Sequence, residues 1–109
     1  MNGILETAEK LGKAIAESDR FKAVRAMRKE LKEDKPLQED LKALNELSSK
    51  IAALEREVKP IEPADKRRLQ ELREKVTGHP RMQDLARVEA DFAELMNRVN
   101  RAIYEQFDK

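Results

Sequence analysis

The chain has 109 residues, 41% of them charged and 4% aromatic, with three Gly, four Pro, no Cys and a formal charge of +1. This length suits a single domain, and a composition this rich in Ala, Glu, Lys, Leu and Arg belongs to long helices rather than sheet. The missing cysteine excludes a disulfide, a thiolate nucleophile and a zinc or iron–sulfur site built on sulfur, and 23 basic against 22 acidic residues exclude a strong overall pull on nucleic acid or lipid.

Met1 to Glu6 lacks a basic region followed by a long apolar run, and nowhere do about 18 apolar residues occur together. A cytoplasmic protein without a membrane span is the expectation. Despite the charge density, apolar residues keep helical register along every charged stretch, so each segment has a face to bury and the chain is expected to fold.

A first helix is predicted from about Ile4 to Glu17, where Ile4, Leu5, Ala8, Leu11, Ala14 and Ile15 form an apolar stripe that would pack on a partner. Ser18 and Asp19 are good N-caps, so a second helix follows from about Arg20 to Glu33, carrying Phe21, Val24, Met27 and Leu31 inward. Pro36 suits the first turn of a new helix and disfavours helical geometry at Lys35, which makes Asp34 to Pro36 a corner.

The third helix carries Leu37, Leu41, Leu44, Leu47, Ile51, Leu54 and Val58 at near-heptad spacing. Pro60 and Pro63 end it and open a short fourth helix, about Pro63 to Val76, with Leu69, Leu72 and Val76 as its buried side. Thr77, Gly78 and His79 form a tight joint, in which Gly78 is expected to take the left-handed C-terminal position and His79 to cap the helix that follows or to face water. The fifth helix is read from Pro80 to Phe107. Met82, Leu85, Val88, Phe92, Leu95, Met96, Val99, Ile103 and Phe107 recur along it at spacings of three and four, on a rod roughly 40 Å long.

Two long rods joined through a Pro-rich connector and a short helix suggest an antiparallel pair of the third and fifth helices, with the first two folded across it. The apolar face of the fifth helix is wider than a heptad seam, which implies two packing partners: the third helix and a second copy of the chain. Asn100 lies at the border of that face, where a buried amide fixes register, unless it is merely exposed.

Lys22, Arg25, Lys29 and Lys32 lie along one face of the second helix and could track phosphates, although no aromatic residue interleaves to stack on bases. The plainer reading is a solvated face, or one paired with Asp84, Asp91 and Glu94 of the fifth helix. Lys66, Arg67, Arg68 and Arg73 form a second, exposed basic cluster. The single histidine lacks companions at metal-ligand or catalytic spacing, and no HExxH, DxDxDG, P-loop or GxGxxG occurs, so neither an enzyme nor a cofactor is expected.

The stretch His79-Pro80-Arg81-Met82-Gln83, followed by Ala90, Phe92, Leu95, Met96, Val99, Asn100 and Ile103, resembles the YlbF and YmcA family of small helical bacterial regulators. The run from Ala14 to Lys22 supports the likeness. The resemblance implies a self-associating helical bundle that acts without catalysis, as a partner of other proteins. In Gram-positive bacteria such proteins are linked to competence, biofilm formation and sporulation, and to messenger RNA processing by a membrane-bound endoribonuclease. Some members are associated with iron–sulfur clusters through cysteines, a property that does not carry over to a chain without them. The Pro-rich connector between Lys59 and Lys66 and the high Arg and Lys content depart from the family's better-studied members and suggest a different partner.

Taken together, the sequence predicts an all-α antiparallel hairpin or bundle of about five helices, two of them long. It would be a homo-oligomer, dimer or tetramer, joined through the third and fifth helices, with Leu85, Phe92, Met96, Val99 and Ile103 carrying the assembly. Its predicted role is that of a regulatory adaptor binding other regulatory proteins. The alternative is a nucleic-acid-binding protein using Lys22, Arg25, Lys29 and Lys32.

Overall fold

A computed structural model describes residues 3–109; Met1 and Asn2, at the head of the Met1 to Glu6 stretch read above, lie outside the described residues. The chain is all-α. Its helices are α1 (Gly3–Ala16), α2 (Asp19–Glu33), α3 (Lys35–Arg56), α4 (Pro63–Thr77) and α5 (Pro80–Glu105), and a 3-10 turn, Gln106–Asp108, closes it. The described residues contain no strand, and the two long helices are α3 with 22 residues and α5 with 26.

Local chemistry sets most of these boundaries. The Ser18 hydroxyl accepts from the backbone N–H of Phe21 at 3.2 Å, so it caps α2 as its position predicts. Asp34 is extended, with φ −85° and ψ 92°, and its Oδ1 accepts from the N–H of Leu37 at 3.1 Å, capping α3. Lys35 is already helical, so the corner expected over Asp34 to Pro36 contracts to Asp34: the cap bond starts α3 one residue ahead of the proline. Gln38 donates from Nε2 to the Leu31 carbonyl at 2.8 Å, satisfying an acceptor in the last turn of α2.

The end of α3 differs from the sequence reading. Val58, placed on the apolar stripe, lies beyond the helix with φ 54° and is 91% exposed. The N–H of Lys59 donates to the Leu54 carbonyl and that of Val58 to the Glu55 carbonyl. These paired bonds are a Schellman termination, which requires a left-handed residue where Val58 stands. Pro60 and Pro63 turn the chain into α4, and satisfying the terminal carbonyls outweighs the apolar preference of one side chain.

Gly78 also departs from expectation. Its φ of −81° and ψ of −7° are right-handed, not left-handed. Only Gly78 and His79 separate α4 from α5. The His79 N–H closes onto the Val76 carbonyl at 3.1 Å, continuing the right-handed winding into the next helix. What the glycine supplies is room, since a Cβ there would meet the Glu74 carbonyl oxygen at 3.0 Å. At the far end of α5 the expected rod to Phe107 stops at Glu105, and the last residues tighten into the 3-10 turn.

The chain groups into two compact units, the described residues of Met1–Lys29 together with Asp84–Lys109, and Glu30–Gln83. In the first, Val24, Leu85 and Val88 are buried, and the Phe21 ring of α2 meets the Phe92 ring of α5 with centroids 5.2 Å apart and a 51° tilt. In the second, α3 and α4 form an antiparallel hairpin around buried Leu37, Ile51, Leu72 and Val76. Ion pairs Lys50–Asp65 (3.0 Å) and Lys75–Asp40 (3.2 Å) link the hairpin from helix to helix. Burying one such Val, Leu or Ile contributes about 1.5–3 kcal/mol.

Candidate functional site

The residues predicted to carry assembly divide along α5. Leu85 is buried, Phe92, Met96 and Val99 are half-buried, and Ile103 is exposed. Phe92 is engaged within the chain by Phe21, a pairing across helices that spacing alone could not show. Asn100 is exposed. Past Ile103 the helix presents apolar surface to solvent: Tyr104 and Phe107 stand edge-to-face at 5.3 Å with an 87° interplanar angle, both exposed. Sequence reasoning counted Phe107 on the inner stripe and did not anticipate this outward aromatic pair.

Within the same unit, α1 has the amphipathic pattern that its sequence predicts, yet none of its described residues is buried. Ile4, Leu5 and Leu11 are exposed and only Ile15 is half-buried.

The basic residues Lys22, Arg25, Lys29 and Lys32 of α2 are all exposed. The link expected from this face to the acidic side of α5 is made instead by Arg20. Its Nη1 donates to the Asp91 carbonyl at 3.0 Å and lies 3.8 Å from the Glu94 carboxylate. On α4, Lys66, Arg67, Arg68 and Arg73 are likewise exposed.

A polar cluster that the sequence did not announce joins the corner before α3 to the corner before α5. Asp34 spends Oδ1 on the α3 cap, while Oδ2 accepts from Arg81 Nη1 at 2.9 Å and lies 3.7 Å from His79 Nε2. His79 Nδ1 accepts the Arg81 backbone N–H at 3.1 Å, so the histidine caps α5, one of the roles read for it. Asp34 is mostly buried and Arg81 about half exposed.

Between α3 and α4 lies an open groove of about 310 Å³, lined by Ala43, Glu46, Leu47, Lys50, Arg68 and Leu72. The hydrogen bond and charge of Asp65 hold the Lys50 ammonium above its ordinary range, against a small opposing effect of desolvation. Among the described residues no group of three or more His, Asp or Glu is placed to hold a metal ion, and no helix is long and apolar enough to cross a membrane.

Residues 4–107 match the model of the family described as control of competence regulator ComK, YlbF/YmcA. The chain belongs to this family. The match takes in all five helices almost end to end, and the family's description makes the role a regulatory one. No curated protein and no solved structure gives a match.

Proposed function

We propose that this member of the YlbF/YmcA family is a non-catalytic regulatory adaptor. It self-associates and binds other regulatory proteins in the cytoplasm, modulating RNA processing or developmental programmes such as competence, biofilm formation and sporulation. The observation that carries this reading is the family match over residues 4–107. The apolar surface of α5 supports it, because Met96, Val99 and Ile103 retain accessible area after Leu85 and Phe92 are engaged in the chain. Assembly into a dimer or tetramer uses α3 and α5, with Met96, Val99 and Ile103 at the contact and Leu85 and Phe92 supporting it from inside the chain, and residues 1–109 act as one folding domain.

A tagged pull-down from the native host, with and without ribonuclease and read by mass spectrometry, tests the adaptor. Specific proteins that persist after ribonuclease are the expected result; partners lost with the RNA refute it. The second reading, nucleic-acid binding, is favoured by the exposure of all four cations in the α2 row. Under that reading, replacing Lys22, Arg25, Lys29 and Lys32 with Gln abolishes RNA or DNA binding and flattens its salt dependence, with each lost phosphate contact reducing the slope by about 0.7–0.9. Wild-type protein that binds neither nucleic acid at low salt removes it.

A further inference from the structure

Two apolar surfaces in the first unit are left facing solvent. One is the α1 stripe, where Ile4 is 81% and Leu11 37% exposed; the other is the end of α5, where Ile103, Tyr104 and Phe107 are 40%, 63% and 69% exposed. From these we infer that the α1 stripe of one copy docks on the Ile103, Tyr104 and Phe107 end of α5 in a second copy, reciprocally about a two-fold axis. The inference rests on the self-association proposed above but not on the regulatory role, and it adds to the α3 and α5 contact a second one, made by residues the chain does not use for its own core.

The occupant follows from area, chemistry and symmetry. Side chains of this size at these exposures offer on the order of 500 Å² of apolar surface per chain, summed over the two surfaces. A two-fold association covers both surfaces on both copies, roughly 1,000 Å² in all before their neighbours are counted, which meets the minimum of about 1,000 Å² for a biological interface. A single foreign helix would cover one surface and leave the other wet. The Tyr104–Phe107 pair is already held edge-to-face, so binding freezes few rotamers there.

A lipid surface fits less well. On α1, Glu6 and Glu9 are balanced by Lys10 and Lys13. At the end of α5, Arg101 and Lys109 are balanced by Glu105 and Asp108. Neither surface has the cationic skirt that draws an amphipathic helix to anionic headgroups.

The chain has no cysteine, which permits a clean test on the full-length protein. Ile4→Cys and Phe107→Cys are made in separate, differently tagged chains, mixed and mildly oxidised. In parallel, sedimentation velocity is run on wild type, Ile4→Asp and Phe107→Asp, with circular dichroism to confirm that helicity is kept. The expected results are a disulfide-linked heterodimer from the mixture, a wild-type dimer at micromolar concentration, and a dissociation constant raised about 100-fold in each Asp variant. A wild-type chain that stays monomeric up to about 100 μM overturns both this contact and the self-association reading. A dimer that neither cross-links in the mixture nor weakens in the Asp variants overturns this contact alone. A monomer that binds equimolar phosphatidylcholine–phosphatidylglycerol vesicles through the same residues overturns both the contact and the self-association and assigns the two surfaces to lipid.

Discussion

Replacing Asp34 with Ala removes three roles from one half-turn of chain, and the structure allows each to be weighed. The Oδ1 bond to the Leu37 N–H is an N-cap, and losing such a cap costs about 1 kcal/mol. The 2.9 Å bond from Arg81 is charge-assisted but reaches a guanidinium about half exposed, so its share is about 0.5–1 kcal/mol rather than the value of a buried pair. The 3.7 Å approach of His79 Nε2 adds little at that distance. Asp34→Ala should therefore lose about 2 kcal/mol, while Asp34→Asn, which keeps a capping oxygen and loses the charge, should lose about half of that. With a urea slope in the ordinary range for a small domain, the Ala variant shifts the unfolding midpoint down by about 1 M. Asp34→Ala and Arg81→Met combined in a double-mutant cycle should show a coupling of about 0.5–1 kcal/mol. A midpoint for Asp34→Ala within about 0.3 M of wild type, or an Asn variant as unstable as the Ala variant, would show that the cap does not hold this corner.

Val58→Gly should stabilise the protein by about 1 kcal/mol, raising the melting temperature by a few degrees, because a β-branched residue at φ 54° is strained and its 91% exposed side chain packs on nothing; an unchanged or lower melting temperature refutes the strain. Phe92→Ala should cost about 2–3 kcal/mol by removing the ring that meets Phe21, less than a fully buried Phe because the site is half open, and Phe92→Asp should unfold or dissociate the protein as read by gel filtration and circular dichroism. The Lys50–Asp65 pair makes a small, pH-dependent contribution. Since Asp65 raises the Lys50 pKa in the folded state above its ordinary 10.5, the contribution is full below pH 10.5 and is lost as pH rises through the higher folded value. The stability gap between wild type and Lys50→Gln should thus be constant from pH 7 to 9 and close only above pH 10.5, and a gap that widens there sinks the assignment.

The helices and their starts were legible in the sequence because they depend on neighbours within one turn. Ser18, Asp34, Pro36, Pro63 and Pro80 each act on backbone groups a few residues away, and the apolar spacing marks which face each helix buries. The resemblance carried by His79 to Gln83 and by Phe92 to Ile103 named the family that the match over 4–107 shows. Helix ends were harder to read. Whether Val58 continues α3 or turns left-handed, and whether Gly78 turns left or continues right, depends on where the next helix must begin, and residue preference at one position is worth less than satisfied carbonyls.

The candidate sites were legible only in part. Periodicity identified α1 and α5 as amphipathic, but an apolar side chain reads the same whether its partner is in its own chain or in another, so spacing could not separate Phe92, which meets Phe21, from Tyr104 and Phe107, which meet each other in the open. Nor could it join Asp34 to Arg81, which are 47 residues apart and come within hydrogen-bonding distance only when two corners of the chain converge. Sequence by itself determined the all-α class, the helix starts and the family, because caps, prolines and helical periodicity act over one or two turns. Tertiary structure alone decided which apolar and charged groups are consumed inside the chain and which remain exposed, because that depends on contacts made across long separations in sequence.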